Sequence, residues 1–584
     1  MNPKTIRRAA AALGTAALVC GTLLAGIPAA EAAPKKPAPA PSARERPNPS
    51  ATMTVQILSF NDFHGHLEAT DPPLALDPAK TPVGGAEYLA ATLDTLRAGE
   101  KNTLTVAAGD LIGGSTFLSG MFHDEPSIES LEAMGLDVAG VGNHEFDEGT
   151  DELLRMVNGG CHPTDGCYFP ADPYDGTDFE YLAANVVVKD TGETLLPGTT
   201  IRKVQGIDIG FVGMTLEATD TLVSPAGVAT VDFLDEVETA NAQAALLKKR
   251  GVEAIVVLLH EGGRVTGGYN GCEGISDPIV QIAANMDAEI DLIVSGHTHQ
   301  PYVCAIPDPD GNDRFVTSAA DYGRVVTETQ LVINRRTKDV VRDLTTATNH
   351  LVARGAVEPD AEQTAIIEKW DTLAGPQKER VVGTHTEAIL GDSSGNRAIE
   401  TPMVDVVADA ILWGTDGADE GGAQIAFMNV GGVREDLPME AKYNEGTGEI
   451  TFQEAYDIAP FGNLLVTMDL TGAQIKQVLE QQDLPGRNRL ALGVSTGFTY
   501  TWDDSRSQGD KVLAETMMLN GEALIPDQTY RVATLNFLAQ GGDQFTAFTQ
   551  GTNLVGGPED LANLVAYFEA NPGLTTPDSR IVGL

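Results

Sequence analysis

The chain has 584 residues, 42% of them hydrophobic and 21% charged, with a formal net charge of −45. Roughly one domain per 100–200 residues allows two to four domains rather than a single core. So acidic a surface repels polyanions and argues against a nucleic-acid partner, but it admits small anionic substrates wherever bound divalent cations reverse the local field.

The first segment reads as an export signal over residues 1–33. MNPKTIRR carries Lys4, Arg7 and Arg8, an Ala/Leu-rich stretch follows to Ile27, and AAEAAPKK offers small residues for cleavage near Ala32 or Ala33. Cys20 follows Val19, where a lipoprotein signal would have a small residue, so it counts as part of the apolar stretch. No other stretch is long and apolar enough to span a bilayer. The mature chain is therefore expected to be secreted, free or held in a periplasm or wall, with no membrane contact. Residues 34–52 are rich in Pro and Ala and are expected to be a disordered tether.

From Met53 apolar strands alternate with helices. Expected strands are 54–60, 102–109, 137–142, 253–260 and 291–297, apolar on both faces as central strands are. Helices are expected at 87–99 and 235–251. This is an α/β layered domain over 53–345. Four cysteines fall within it, Cys161, Cys167, Cys272 and Cys304, and allow three pairings. In an oxidising compartment the local choice is Cys161–Cys167 with Cys272–Cys304. Zinc binding by these thiols is disfavoured, because no pair has CxxC spacing. Residues 346–380 read as a connector with a polar helix at 357–380. Residues 381–584 read as a second, α+β domain, with a helix at 401–414 and strands at 424–430, 464–470 and 529–538.

Each of the five strands runs into ligand-type residues. The first meets NDFHGH (Asp62, His64), the second GD (Asp110), and the third GNHEFDEG (Asn143, His144, Asp147). The fourth ends at His260 and the fifth meets GHTH (His297, His299). Carboxyl ends of strands in an α/β sheet form one rim where ligands bind. Asp62/His64 and His297/His299 are two apart, and in extended backbone such pairs point the same way and can clamp one ion. Asp, Asn and His without thiolate suit zinc, manganese or magnesium. A lone His or Asp after a strand is usually a turn group; five in succession are read as a metal centre.

In this order the motifs resemble those of the calcineurin-like metallophosphoesterases. NVGGVRED (429–436), APFGN (459–463) and NFLAQGGDQF (536–545) resemble the substrate domain of secreted 5′-nucleotidases and UDP-sugar hydrolases, so the resemblance covers nearly all of the chain after the tether. It implies a four-layer α/β/β/α sandwich followed by an α+β nucleotide-binding domain. It also implies two divalent cations: Asp62, His64 and His299 on one, Asn143, His260 and His297 on the other, and Asp110 bridging. His144 would stabilise the phosphoryl transition state with Asp147 holding its ring, while Glu145 and Glu148 read as turn or surface groups. Phe461 and Phe537 would clamp a base, Asn429 would meet its edge, Asp543 would bond a ribose hydroxyl, and Arg397 and Arg434 would grip an anion. Pro402 and Val404 near Arg397, and Val430, depart from the family's usual residues and bear on substrate choice. The implied function is release of phosphate from nucleoside 5′-monophosphates by direct in-line attack of a metal-bound hydroxide, with rotation about 357–380 to close on substrate. UDP-sugar hydrolysis and 2′,3′-cyclic-nucleotide 2′-phosphodiesterase activity are alternatives with the same cations. A non-enzymatic nucleotide-binding or adhesion protein would be expected to have lost ligands, and an extracellular nuclease is opposed by the acidic surface.

Overall fold

The computed structural model describes residues 51–584 except 70–72, 224–226, 392–394, 419 and 444. The expected export signal, and the tether up to residue 50, lie outside the described residues.

Twelve strands form the two large sheets of the first half. They are β1 Thr52–Phe60, β2 Thr103–Ala108, β3 Val138–Gly140, β4 Glu180–Leu182, β5 Thr199–Val204 and β6 Ile207–Thr215. Then come β7 Ala254–His260, β8 Leu292–Ser295, β9 Pro301–Pro307, β10 Asp313–Ala319, β11 Val325–Asn334 and β12 Thr346–Leu351. They form two mixed six-stranded sheets, in the orders β12-β11-β1-β2-β3-β4 and β9-β10-β8-β7-β6-β5. The five strands read from the sequence as one rim are thus divided, three in the first sheet and two in the second. Within each sheet they run parallel.

The alternation of side chains explains why both faces are apolar. In β7, Val256 and Leu258 pack between the sheets with Val55, Ile57 and Val106. Their neighbours Ile255, Val257 and Leu259 face helices α3, Glu236–Lys249, and α4, Ile279–Asn285. Leu58 and Phe60 of β1 face α1, Ala86–Arg97, and α2, Glu125–Ala133, on the opposite outer side. The result is the expected α/β/β/α sandwich. Asp235 starts α3 by accepting from Glu238 N at 2.7 Å.

The stretch expected as a connector is largely built into this first half. β12 pairs antiparallel with β11. Helix α5, Ala361–Ala374, buries Ile366, Trp370 and Ala374 in the outer core of the first sheet. Gln363 Nε2 donates to Ser130 O at 3.0 Å, and Trp370 Nε1 to Glu129 Oε2 at 2.7 Å.

In the second half, β13 Ile425–Asn429, β14 Leu464–Thr471, β15 Leu492–Val494, β16 Thr529–Leu535 and β17 Thr552–Glu559 form one sheet, ordered β15-β13-β16-β14-β17. Helices α6, Pro402–Trp413, and α8, Asp560–Ala570, cover one face, and α7, Gly472–Glu480, the other. The strand expected at 529–538 stops at Leu535, because Asn536–Ala539 turns into a helix.

The disulfides are Cys161–Cys167 and Cys272–Cys304. The second joins positions 32 apart in sequence. Replacing Cys272 and Cys304 together by Ser is expected to lower stability by about 2–4 kcal/mol, through the freed loop of the unfolded chain. Urea unfolding measures it; an unchanged midpoint would contradict a stabilising role.

Candidate metal and substrate site

The seven residues expected as ligands meet where the carboxyl ends of the two sheets face each other. Asp62, His64, Asp110, Asn143 and His260 are all buried. One close group is Asp62, His64 and His299, and another is Asp110, His260 and His297. His299 Nε2 lies 3.3 Å from Asp62 Oδ1 and His260 Nε2 lies 2.8 Å from Asp110 Oδ2. His64 Nε2 is 3.6 Å from the same Asp110 oxygen. Asp110 therefore stands between the two groups.

The second nitrogen of three rings is fixed, and this aims the first. His64 Nδ1 is hydrogen-bonded to Gly113 O and His260 Nδ1 to Ala108 O, both at 2.7 Å. His299 Nδ1 lies 3.0 Å from Asp321 Oδ2. His64 Nε2 and Asn143 Oδ1 are then left buried with no hydrogen-bond partner among the described residues. A buried orphan donor or acceptor is costly, so two of them on the strand ends that gather here fit cations held between those ends. The charges agree. Burial holds His64 and His297 well below the usual imidazole range, so their lone pairs are free for a cation. Burial also opposes charge on His260, but Asp110 outweighs it and raises the ring to about 10. The carboxylates draw positive charge to this seam, and a divalent cation can take the proton's place.

The backbone differs from the expected extended pairs. Asp62, His64, Asp110, His297 and His299 all have positive φ, between 48° and 70°. Such conformations are strained for side chains of this kind and persist where surroundings over-determine them. The GHTH rings face different neighbours: His299 lies against Asp62, and His297 faces His260 across 5.3 Å between ring centroids. Close packing makes Gly142 necessary, since a Cβ there would stand 2.2 Å from Asp110 Oδ1.

Beside this cage, His144 Nδ1 is 2.8 Å from Asp147 Oδ2, and His144 N donates to Asp110 Oδ1 at 2.8 Å. The expectation for Glu145 needs correction. It is buried, not a surface group, and accepts from Asp110 N, Leu111 N and Gly142 N at 2.9, 2.8 and 2.5 Å. It ties the second strand end to the third. Glu148 is exposed, as expected.

The second half reaches the same place. Phe461 stacks against His144, 5.8 Å between centroids and 23° from parallel, and Arg434 lies over Phe461 at 5.7 Å. The charge of Arg434 depresses His64 and that of Arg397 depresses His297, so both guanidinium groups border the cage. Asn429 Nδ2 donates to Asp543 Oδ2 at 2.7 Å. Asn536 Oδ1 accepts from Leu464 N at 2.9 Å, tying the Phe537 segment to the Phe461 segment. Phe537 itself packs into the cores on both faces of its sheet, and no ring contact joins it to Phe461 among the described residues.

Three contributors were not read from the sequence. Asn61 Nδ2 donates to Asp62 Oδ2 at 2.5 Å and to Ala320 O at 2.6 Å. Asp321, itself paired with Arg324, orients His299. It lies two residues past the end of β10, so the strand-end rule applied to a sixth strand would have found it. Arg487 donates to Asp543 O; nothing local in the sequence marks it.

Replacing Glu145 by Ala would strand three buried N–H groups. Stability is expected to fall by about 2–4 kcal/mol, read by chemical denaturation; a wild-type midpoint would remove Glu145 as the tie between strand ends.

The calcineurin-like phosphoesterase family model matches residues 55–301, and the 5′-nucleotidase C-terminal domain model matches residues 381–550. Endonuclease YhcR of Bacillus subtilis (strain 168) is 35% identical over 539 residues, 90% of this chain and 41% of that protein. Cell wall protein Lmo0130 of Listeria monocytogenes is 32% identical over 546 residues, 89% of this chain and 67% of that protein. The chain thus spans less than half of the first relative and two thirds of the second. The crystal structure of a 5′-nucleotidase precursor from Thermus thermophilus superposes with a TM-score of 0.74 at 26% identity, covering 91% of this chain and 99% of that one. With both family models matched in order and the cage formed at their strand ends, the chain belongs to the 5′-nucleotidase family of calcineurin-like phosphoesterases, hydrolases of phosphoester bonds.

Proposed function

We propose that this chain is an exported phosphohydrolase that releases phosphate from nucleoside 5′-monophosphates at a dinuclear site. Asp62, His64 and His299 would hold one divalent cation, Asn143, His260 and His297 the other, and Asp110 both. The observation that carries this reading is the orphaned pair His64 Nε2 and Asn143 Oδ1, buried on strand ends that gather with the buried carboxylates of Asp62 and Asp110. Bound there, zinc, manganese or magnesium ions would neutralise phosphate oxygens and acidify a water. The donor set without thiolate supports such ions.

The chain's own groups do the positioning. Asp147 occupies Nδ1 of His144, which leaves Nε2 for a phosphoryl or leaving-group oxygen. Arg397 and Arg434 would take the remaining phosphate oxygens, a task suited to a guanidinium fork. Phe461 offers a flat face for a base. Asn429 Oδ1, buried and without a hydrogen-bond partner among the described residues, is an acceptor for a base-edge N–H. Asp543 would take a ribose hydroxyl, and Phe537 the other face of the base.

We take the metal-binding domain to run from 53 to the end of α5 at Ala374, and the substrate domain over 381–584. The pivot between them would then be residues 375–380, shorter than the stretch expected from the sequence. Export is supported by the basic and apolar start of the chain, by the two disulfides and by the cell wall relative. No helix among the described residues is long and apolar enough to cross a membrane.

A second reading, cleavage of phosphodiesters, is favoured by the likeness to Endonuclease YhcR. The net charge of −45 opposes long polyanions but not cyclic nucleotides.

A phosphate-release screen separates these readings, using nucleoside monophosphates, cyclic nucleotides, UDP-glucose and single-stranded DNA with each metal in turn. AMP is expected to be hydrolysed only with divalent metal and not in excess chelator. Absence of release from every 5′-monophosphate would end the nucleotidase reading. His144→Ala is expected to keep its metal content and lose about a hundredfold or more in turnover. Asp110→Asn is expected instead to lower metal content in elemental analysis; full loading would remove Asp110 from the cage.

A further inference from the structure

Away from the cage, a second set of metal-ligating side chains gathers beside the loop that carries His144 and Asp147. One ligand atom from each of His123, Glu148, Glu152 and His162 lies within 4.8 Å of the others. The rings of His123 and His162 stack with centroids 3.6 Å apart and planes 21° from parallel. His123 Nδ1 is 2.8 Å from Glu148 Oε2, and its Nε2 is 3.0 Å from Asp165 Oδ2. Arg155 Nε donates to both oxygens of Glu152 at 2.9 Å and its Nη2 to Oε1 at 2.7 Å, which leaves a lone pair on Oε2 for a cation. The Cys161–Cys167 disulfide closes the loop that presents His162 and Asp165.

Two imidazoles lying face to face repel once both are protonated. Their neighbours nonetheless demand positive charge: burial opposes it, but Glu148 and Asp165 outweigh burial and raise His123 to about 9. A divalent cation answers the same field without charging either ring. Two nitrogens and two carboxylate oxygens, with no thiolate, match a four-coordinate zinc-like ion. A regular tetrahedron with the largest of these separations as its edge has its centre ~2.9 Å from each corner, and zinc needs ~2.1 Å, so each ligand atom would move inward by ~0.8 Å or less.

We propose that His123, Glu148, Glu152 and His162 form a further site for a divalent transition metal of the zinc class, which staples the disulfide loop 161–167 to the loop carrying His144 and Asp147. No residue of this site belongs to the dinuclear cage.

The test counts zinc. The full chain and two variants, His162→Ala and Glu148→Gln, are equilibrated with Zn²⁺ alone at a buffered free concentration, and zinc per chain is measured by elemental analysis. Each variant is expected to hold one zinc fewer than the wild-type chain. The cage is common to all three proteins, so this difference does not depend on how many ions the cage takes. Zinc is also expected to raise the unfolding temperature of the wild-type chain more than that of His162→Ala. Should His162→Ala fail to fold, Glu148→Gln, changed at an exposed position, carries the same comparison. Equal zinc content in the wild-type chain and the folded variants would overturn the proposal.

Discussion

Two carboxylates, Asp62 and Asp110, are buried at the seam between two sheets, and the surrounding structure follows from that constraint. Taking a carboxylate out of water costs several kcal/mol unless positive charge or hydrogen bonds meet it. Imidazoles stand against both, and His297 N and His144 N donate to them from the backbone. Each fixed imidazole is fixed by something outside the seam: Gly113 O, Ala108 O or Asp321. The strained positive φ at five ligand positions is the conformational cost of turning these side chains inward from the strand ends.

The second half of the chain meets this charge without entering the cage. It contributes cations and a ring, in Arg397, Arg434 and Phe461. The hydrogen bonds that cross to the first half lie to one side, where Phe117 N donates to Asp457 Oδ1 and Gln453 Nε2 to Glu68 Oε2. A phosphate placed between the halves would meet the guanidinium groups of Arg397 and Arg434 from the second half.

What could be read from the sequence was the chemistry at strand ends. Asp62, His64, Asp110, Asn143, His260, His297 and His299 each follow an apolar run, and such runs are legible from periodicity alone. What could not be read was long-range. Nothing local says that β7 and β8 belong to a different sheet from β1 to β3, because a strand buried on both faces looks the same in either. Nothing local says that Glu145 turns inward to hold Asp110 while Glu148, three residues on, stays in solvent. The helix at 361–374 was legible as a helix, but its polar surface concealed that Ile366, Trp370 and Ala374 make a stripe that docks on the first sheet. The base-side residues were the least legible, since Phe537 serves two cores as readily as it would serve a ligand.

The division of the cage between two sheets bears on how the chain matures. Asp62, His64, Asp110 and Asn143 come from one sheet and His260, His297 and His299 from the other, so neither sheet alone can present a complete coordination sphere. An ion held there would act as a rivet across the seam, favouring by mass action the state in which the layers are docked. Metal supply would then bear on the lifetime of the folded protein as well as on its chemistry.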